Sequence, residues 1–500
     1  MDELLPQMLA FPPHPPPLKP LSDDKYDEAI RSQVTLLSKC SEKDLLGKTS
    51  GGEDTLEVIN PALNTVPYLF TLLAKLGESR KKRSDTEVQW LWEKISSFVV
   101  SFDPRQIRYL GEQFLKLVEE IRPLGDRIGE ILNERGLAIP LLATAIQRVD
   151  PEATTLTSTH IALVKVAMAT YRYELATPIV EKNILYFPGV LSQPRAKFYC
   201  DMSLPAPSYI NSQTKLSEKL KTIDVLEYFL LSGMIYIGLQ QWKNAMTCLE
   251  SAVTYPTKDG ACSKVMVTAY KKWLLCGILI DGKVPKLPRD TGSNAAKMYH
   301  ILAKPYDTVA TLFETASSSR LKAEIDAGEN VWDADLNTGL MLYVLNAFQK
   351  FQVRKLGDIY SKISIPEIVN MTTSAETGGR ITTEAAEQLI QSMIADGSLH
   401  ATMSQSPNKP SILTFTPGGH MLSEIEMQRE LSATTRNIMK LSQDIKLTDH
   451  MLMNEKEYVR YKVKENKHKA TNMVHYNENA TPINELDWQG DDEDLMTGEY

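Results

Sequence analysis

The sequence predicts a mainly α-helical protein, in which a helical-repeat, tetratricopeptide-like solenoid is followed by a winged-helix subdomain and a long C-terminal helix. Three observations support this fold class: helical spacing of apolar residues over most of the chain, an order of three helices and a β-hairpin before residue 418, and a seven-residue apolar repeat after it. The 500 residues are 43% hydrophobic and 24% charged, which is enough for two to four globular domains.

The predicted organisation follows changes in composition along the chain. In order, we expect a Pro-rich disordered arm at 1–20, N-terminal helical repeats at 21–187, a loop at 188–214, further helical repeats at 215–344, the winged helix at 345–418, the C-terminal helix at 419–468 and an acidic disordered tail at 469–500. Six of the ten residues from Phe11 to Pro20 are proline, which fixes an extended backbone. We therefore predict that this arm lies outside the fold, as a passive tail or as a ligand of an SH3-type domain.

The region from Leu21 to Ile184 is a succession of apolar, helix-spaced segments with little strand-like alternation. The segments are separated by residues that favour helix ends: Asn60-Pro61, Asp103-Pro104, Arg122-Pro123, Gly136 and Asp150-Pro151. We expect each of these to stop one helix. Short helices with short connections bury their apolar stripes only against neighbouring helices, which predicts a solenoid.

The stretch FLLSGMIYIGLQQWKNAMTCLESAVTYP, from Phe229 to Pro256, is the most informative part of the repeats. Its surroundings contain two apolar stripes on either side of Gly238: Leu226, Phe229, Leu230, Gly233, Met234 and Ile237, then Trp242, Ala245, Met246, Leu249, Ala252 and Val253. Two stripes joined by a short turn predict an antiparallel helical hairpin, and Gly233 and Ala245 lie near the small-residue positions of a tetratricopeptide unit. Similar offsets recur at Trp273, Cys276, Gly277 and Ile280.

The segment from 345 to 418 has a different pattern. KLGDIYSKI and SIPEIV predict two short helices, TTEAAEQLIQSMIADG predicts a third, and SLHATMS and SILTFT predict two strands. The third helix has a buried stripe at Ala386, Leu389, Ile390, Met393 and Ile394. We expect its N-cap at Thr382 or Thr383 and its end at Gly397. Three helices followed by a β-hairpin have the order of a winged helix.

The C-terminal helix has the most regular pattern in the chain. Its apolar seam follows a heptad: Met427, Leu431, Thr434, Ile438, Leu441, Ile445, Thr448, Leu452 and Val459, with Glu455 as the one interruption. A narrow seam of this length predicts packing against a partner helix. From Asn477 the chain carries eight Asp or Glu residues and no Lys or Arg, which predicts disorder. Trp488 and Leu495 lie among these acids, either as a short docking motif or as part of a solubilising tail.

Motifs for catalysis are missing from the sequence. The eight histidines are isolated, and the five cysteines (Cys40, Cys200, Cys248, Cys262 and Cys276) include no C-x-x-C pair, so neither a zinc site nor a disulfide framework is predicted. No phosphate-binding glycine motif and no nucleophile elbow occurs either. We therefore predict no catalytic residue, no cofactor and no metal. The longest apolar run, WLLCGILI, is too short to span a bilayer, and we expect a soluble intracellular protein.

Charge weakens the case for nucleic-acid binding. The net charge is -8 and the pI is near 5.7. The third helix of the winged-helix segment carries Glu384, Glu387 and Asp396 and no Lys or Arg, so phosphates would repel it. The run SRKKRSD at Ser79 is either a nuclear-import or phosphate-binding patch or a solvated loop.

These residues together resemble a known family. A helical-repeat solenoid that leads into a winged helix and a long C-terminal helix is similar to the PCI subunits of the proteasome lid, the signalosome and eukaryotic initiation factor three. Within the PCI family, three motifs resemble the third-subunit family of the COP-nine signalosome: GMIYIGLQQWKNAMTCLESAVTYP, AYKKWLLCGILIDGKVPKLP and AAEQLIQSMIADGSLHATMSQ. The resemblance covers roughly Ser158 to Lys446, and the residues before 150 are assigned by position only.

The resemblance implies a non-catalytic scaffold subunit of an eight-subunit complex that removes the ubiquitin-like protein Nedd from cullin-RING ubiquitin ligases. The metalloprotease centre of that complex lies in another subunit. The partners implied are sister subunits, especially the first and the eighth, which meet this type of subunit through winged helices and a C-terminal helical bundle. Nucleus and cytoplasm are the expected locations, with no membrane partner.

Two sets of residues are predicted to make these contacts. The winged-helix strands offer a sheet edge, with the interface residues Leu399, Ala401, Met403, Ile412, Leu413 and Phe415. The C-terminal helix offers Met427, Leu431, Ile438, Leu441, Ile445 and Leu452. The alternatives are a proteasome-lid PCI scaffold subunit, and a PCI protein of messenger-RNA export that binds nucleic acid.

Overall fold

A computed structural model of the chain describes residues 4–13, 21–48, 52–78, 84–188, 196–257, 261–315, 317–374, 379–406, 409–416, 423–453 and 458–464. These residues belong to two units, Met1–Met421 and Leu422–Tyr500. The first unit contains helices and one small sheet, and the described part of the second is helical. This agrees with the predicted mainly α fold class. Within the described ranges, no helix combines the length and the hydrophobicity needed to cross a bilayer.

The N-terminal part of the first unit is a stack of helices. In chain order they are α1 (Leu5–Leu9), α2 (Asp23–Lys39), α3 (Glu42–Leu45), α4 (Thr55–Val58), α5 (Thr65–Glu78), α6 (Asp85–Ser101), α7 (Pro104–Ile107), α8 (Gly111–Leu132), α9 (Ala138–Val149), α10 (Ser158–Thr170) and α11 (Thr177–Val180), with a 3-10 turn at Tyr173–Ala176. Consecutive helices pack on one another, α8 on α6 and α9, and α9 on α10. Their apolar faces form one continuous core with the helices that follow.

Several predicted helix ends occur where local chemistry favours them. The Asp103 carboxylate accepts a hydrogen bond of 2.9 Å from the backbone N–H of Arg105, and Pro104 is the first residue of α7. Gly136 has a φ of +83°, which favours glycine, in the turn before α9. Asp150 ends α9 as its C-cap. These three predictions are confirmed.

Pro123 does not stop a helix, contrary to the prediction. It lies inside α8, which continues to Leu132. A proline in a helix interior costs about 3 kcal/mol. The helix continues because Ile121, Leu124 and Ile128 are buried on one face, and their combined burial outweighs that cost.

Residues within the described range 4–13 pack against the fold, which corrects the prediction of an arm lying wholly outside it. Met8 is fully buried, and Phe11 is 8% exposed. The side-chain amide of Gln33 donates hydrogen bonds to the carbonyls of Met8 (2.8 Å) and Phe11 (3.1 Å), and the Asn64 amide also donates to Phe11 (3.1 Å). Burial of these two apolar side chains stabilises the segment, although its composition is rich in proline. The prolines from 15 to 20 lie outside the described residues.

The second part of the stack contains the longer repeats. Its helices are α12 (Ala206–Tyr209), α13 (Thr222–Gly238), α14 (Trp242–Val253), α15 (Lys264–Asp281), α16 (Ser293–Leu302), α17 (Lys304–Glu314), α18 (Ser318–Ala327), α19 (Glu329–Ala334) and α20 (Thr338–Leu356). The irregular segment before α13 is packed rather than loose, because Arg105 donates to the carbonyl of Cys200 (2.8 Å) and Arg108 donates to those of Tyr199 (3.0 Å) and Asp201 (2.6 Å).

The predicted hairpin is formed by α13 and α14. A Cβ atom at Gly233 would lie 2.6 Å from Cγ of Leu249, so the two helix backbones approach as closely as the sequence indicated. The predicted apolar stripe does not account for all of the burial of α13. Tyr228 and Ile235, on the opposite side of the helix, are also buried. The reason is that α10 packs on one side of α13 and α14 on the other.

All five cysteines are free thiols. Cys200 and Cys276 are fully buried, and the other three are partly buried. Burial raises the pKa of the Cys276 thiol to about 12. The thiol is therefore protonated and inert at neutral pH.

The end of the first unit is the winged-helix subdomain. It follows α20 with β1 (Lys362–Ser364), α21 (Ile365–Met371), α22 (Thr383–Ala395), β2 (Ala401–Ser406) and β3 (Lys409–Phe415). The strands form an antiparallel sheet in the order β1-β3-β2, in which Leu413 pairs with both Ile363 and Met403. The Thr382 hydroxyl caps α22 by accepting a hydrogen bond from Ala385 N, and Gly397 follows the helix with a φ of +67°, as predicted.

KLGDIYSKI is not a separate helix, contrary to the prediction. Its first two residues end α20, a turn follows, and its last two residues begin β1. The strand forms because the backbone of Ile363 pairs with that of Leu413, and the Ile363 side chain enters the core beside Ile390 and Met393. Such long-range pairing leaves no helical or alternating signal in so short a segment.

The described part of the second unit is helix α23 (Glu424–Met453), and residues 458–464 are helical as well. A capping box starts α23: the backbone N–H of Ser423 donates to the Glu426 carboxylate at 2.9 Å, and Glu426 N donates to the Ser423 hydroxyl at 3.3 Å. At 1.5 Å per residue, α23 is about 45 Å long.

Candidate functional site

The first candidate surface is the apolar seam of α23. We use the name α23 seam for six residues: Met427, Leu431, Ile438, Leu441, Ile445 and Leu452. All six lie in α23, and their side chains are between 43% and 62% exposed. The heptad spacing brings them to one stripe of the helix. The structure therefore leaves the predicted seam accessible along its length.

This exposure has an energetic consequence. Complete burial of one Leu, Ile or Met side chain contributes about 1.5–3 kcal/mol relative to exposure in water. About half of each α23 seam side chain is exposed, so roughly half of this burial free energy is still available at each position. Contiguous exposed apolar surface of this kind marks a contact surface on soluble proteins. A heptad seam is complementary to another helix, so this surface is suited to packing against a helix.

The second candidate surface is the winged-helix sheet. β3 pairs with β1 on one side and β2 on the other, whereas β2 lies at an edge of the sheet. The predicted free edge is therefore confined to β2, and β3 is corrected to a central strand. A strand of a second chain could extend the sheet by pairing with the backbone of β2.

The side chains predicted for this interface lie in two environments. Leu399, Ala401, Leu413 and Phe415 are at most 7% exposed and belong to the core of the subdomain. Their side chains pack in the core of the subdomain, which corrects the prediction that these side chains form the contact surface. Met403 is partly buried against the same core, and Ile412 is 40% exposed. Ile412 is therefore the apolar side chain of this set that a partner can reach.

The two residues predicted as a tail docking motif, Trp488 and Leu495, lie outside the described residues. No group of three or more His, Cys, Asp or Glu side chains is arranged to hold a metal ion in the ranges that the structure describes. His160 has a structural role there, because its Nδ1 lies 2.8 Å from the hydroxyl of Thr157 at the start of α10. Complete burial lowers the pKa of His160 to about 3, so the imidazole is neutral at physiological pH.

A buried polar cluster joins α15, α17 and the turn before α20. Lys272 is buried, and its ammonium donates a hydrogen bond to the side-chain oxygen of Asn337. The Asn337 amide donates to the Tyr306 hydroxyl (2.8 Å), and that hydroxyl donates to Asp335 (2.8 Å). Lys271 forms an ion pair of 2.7 Å with the same carboxylate. We call these five residues the Lys272 network.

The Lys272 network was not predicted, since a lysine at an apolar position of a helix has no distinctive sequence signal. Burial lowers the pKa of Lys272 to about 8. Partial burial by itself raises the pKa of Asp335, but hydrogen bonds from Lys271 and Tyr306, together with the charges of the two lysines, outweigh burial and lower the pKa overall. The cluster fixes the turn between α19 and α20 from both sides, because Asp335 and Asn337 belong to that turn.

Comparisons with known proteins agree with this architecture. The family model for the N-terminal helical repeats of COP9 signalosome complex subunit 3 matches residues 27–294, which is more than half of the chain. The chain is 33% identical to COP9 signalosome complex subunit 3 of Neurospora crassa over 473 residues, which cover 93% of this chain and 92% of that protein. The identity to the subunit of the same name is 28% over 508 residues in Emericella nidulans, with 99% of each chain covered. In Dictyostelium discoideum it is 24% over 452 residues, with 90% and 92% covered. The chain therefore belongs to the family of COP9 signalosome complex subunit 3.

Proposed function

We propose that this chain is a non-catalytic scaffold subunit of the COP9 signalosome and supports the removal of Nedd from cullin-RING ubiquitin ligases. Its relatives carry the name of the third subunit of that complex and align with nearly the whole chain. The metalloprotease centre then belongs to another subunit, in keeping with the lack of a zinc motif in this sequence.

The observation that carries this proposal is the exposed α23 seam. Its six apolar side chains are spaced for a helical partner and stay accessible in the chain by itself. A scaffold subunit needs such a surface, because sister helices complete the burial only in the assembly. We propose that the seam enters a helical bundle shared with sister subunits.

The winged helix supplies the second proposed contact. The β2 edge is available for pairing, and Ile412 presents an apolar side chain on the same sheet. We propose that the winged helices of the first and eighth subunits are the neighbours at this subdomain. The resemblance of the sequence supports these two neighbours, and it also supports the nucleus and the cytoplasm as the location of the chain.

The proposal is tested by charging the α23 seam. Replacing Ile438, Leu441 and Ile445 together with Asp should abolish co-purification with sister subunits, because three carboxylates cannot be buried in a helical bundle without a large desolvation cost. Native mass spectrometry of the tagged full chain, co-expressed with the other subunits, measures the stoichiometric partners.

The matched control replaces Ser432, Met439 and Gln443 with Asp. It adds the same three charges to other faces of α23 and should leave the partner set intact. Both variants should unfold at the wild-type temperature as isolated chains, since surface substitutions have small effects on stability. Retention of every sister subunit by the seam variant would contradict the proposal.

A further inference from the structure

The turn between α19 and α20 contains Leu336 in an unusual backbone conformation. The backbone N–H of Leu336 donates to the carbonyl of Asp333 (3.0 Å), and that of Asn337 donates to the carbonyl of Trp332 (2.8 Å). These two bonds define a Schellman motif, in which the residue corresponding to Leu336 adopts a left-handed conformation and is usually glycine. Leu336 has a φ of +55°. A branched, bulky side chain is strained in this conformation.

Folding removes little of the Leu336 side chain from water, so its burial contributes little to stability. It is 82% exposed, which is the highest fraction among the large hydrophobic side chains in the described ranges. Tyr171 offers a comparison, because it ends α10 at a φ of +59° and is also strongly exposed. The Tyr171 ring packs edge-on against Tyr173, at 6.4 Å between centroids. Leu336 thus combines backbone strain with nearly complete exposure of an apolar group.

The Lys272 network holds this turn in place. Asp335, the residue before Leu336, accepts hydrogen bonds from Lys271 (2.7 Å) and Tyr306 (2.8 Å). Asn337, the residue after it, is fully buried and bonds to the Lys272 ammonium. A side chain held on a fixed turn loses little conformational entropy when a partner binds it. Leu336 is therefore preorganised for contact with another molecule.

The exposed charged residues close to Leu336 in the chain are acidic. From Ala323 to Gln349 the sequence has no Lys or Arg and five acidic residues: Glu324, Asp326, Glu329, Asp333 and Asp335. Lys271 and Lys272 reach the turn from α15, but both are mostly buried, and Lys271 is paired with Asp335. Asp326, Glu329 and Asp333 are exposed, and Val331 adds a second partly exposed apolar side chain on α19. A second copy of this acidic surface would be repelled. A basic surface would be attracted and steered toward it.

We propose that Leu336 anchors a further protein-interaction surface of this chain, and that its partner is a sister subunit with an apolar pocket rimmed by Lys or Arg. The inference rests on the proposed function, because the partner is sought within the same assembly. The anchor inserts into the pocket, and the acidic residues of α18 and α19 set its orientation and the salt dependence of binding. Apolar anchors in desolvated pockets dominate the affinity of such contacts.

The test uses Leu336→Gly in the full chain. Titration of the fluorescently labelled chain with the preassembled remaining subunits of the signalosome measures Kd. We expect at least a tenfold increase in Kd, together with an unchanged or higher unfolding temperature, because glycine relieves the left-handed strain. Asp333→Lys should also raise Kd and should reduce its dependence on salt.

Tyr171→Gly is the matched control, since it removes an exposed ring from the same backbone conformation on another turn. It should leave Kd unchanged. Wild-type binding with an equal Kd for Leu336→Gly would overturn this inference and leave the scaffold proposal standing, whereas failure of the wild-type chain to bind would refute the scaffold proposal itself. Concentration-dependent dimers of the wild-type chain that Leu336→Gly abolishes would overturn the inference as well.

Discussion

The winged-helix subdomain and helix α23 use the same apolar side chains in opposite ways. In the subdomain, Ile390, Met393 and Leu413 are fully buried between α22 and the sheet. In α23, the side chains of Ile438 and Leu441 remain more than half exposed. The subdomain completes its own core, whereas α23 has apolar surface left for other chains. The same residue types therefore stabilise the fold in the winged-helix subdomain and remain accessible to solvent in α23.

The largest expected contrast comes from the same substitution in both regions. Ile390→Ala should lower the free energy of unfolding by about 2–5 kcal/mol, because it opens a cavity in the winged-helix core. Ile438→Ala removes the same atoms from a solvent-exposed position and should change it by less than about 0.5 kcal/mol in the isolated chain. Urea denaturation followed by circular dichroism measures both. Equal losses would mean that the α23 seam is already buried in the chain alone.

Lys272 is a lysine buried in the helical repeats, and it makes the free energy of unfolding depend on pH. Burial lowers the pKa of Lys272 from 10.5 to about 8. Between these two values the unfolded chain binds a proton that the folded chain has released, so the free energy of unfolding rises with pH. The rise is complete above the unfolded pKa, amounts to about 3 kcal/mol, and is lost as the pH falls to about 8.

The measurement compares wild type with Lys272→Met from pH 7.5 to 10.5. The difference between their free energies of unfolding should stay constant below about pH 8 and shift in favour of the wild type above it. Lys264→Met, an exposed lysine at the start of the same helix, controls for the loss of a lysine. A difference that does not vary with pH would show that Lys272 keeps its proton in the folded chain.

Ile412 and Leu413 are adjacent residues of β3 that face opposite sides of the sheet, and the smallest effect is expected for Ile412. Ile412 is 40% exposed, and its neighbour Leu413 is fully buried. Ile412→Thr should change the free energy of unfolding by less than about 0.5 kcal/mol, because threonine keeps the β-branched shape that strands favour. It should still weaken binding of the sister subunit at the winged helix. Unfolding of the subdomain by Ile412→Thr would show instead that this side chain serves its core.

Elements with a local repeat were predictable from the sequence. The α13–α14 hairpin, the cap of α22 at Thr382 and the spacing of the α23 seam each depend on residues within a few turns of helix. β1 was missed because it exists only through pairing with β3, about fifty residues later in the chain. Pro123 was wrongly predicted to end a helix, because the tertiary burial of α8 outweighs the local preference of proline for helix ends.

The candidate surfaces were predictable to different degrees. The exposed seam follows from its period alone, whereas the free edge depends on strand order, which places β3 in the centre of the sheet. Neither the Lys272 network nor Leu336 has a sequence signal. A leucine gives no hint of a left-handed backbone, and a buried lysine is recognised only from the partners that surround it.

Amide hydrogen exchange of α23 shows whether its apolar seam becomes buried when the chain joins its sister subunits. It is measured for residues 424–453 in the isolated full chain and in the reconstituted COP9 signalosome at the same pH and temperature. We expect rapid exchange in the isolated chain and slowing by at least about a hundredfold in the assembly, because burial against sister helices suppresses local opening. Equal protection of α23 in the two samples would contradict it.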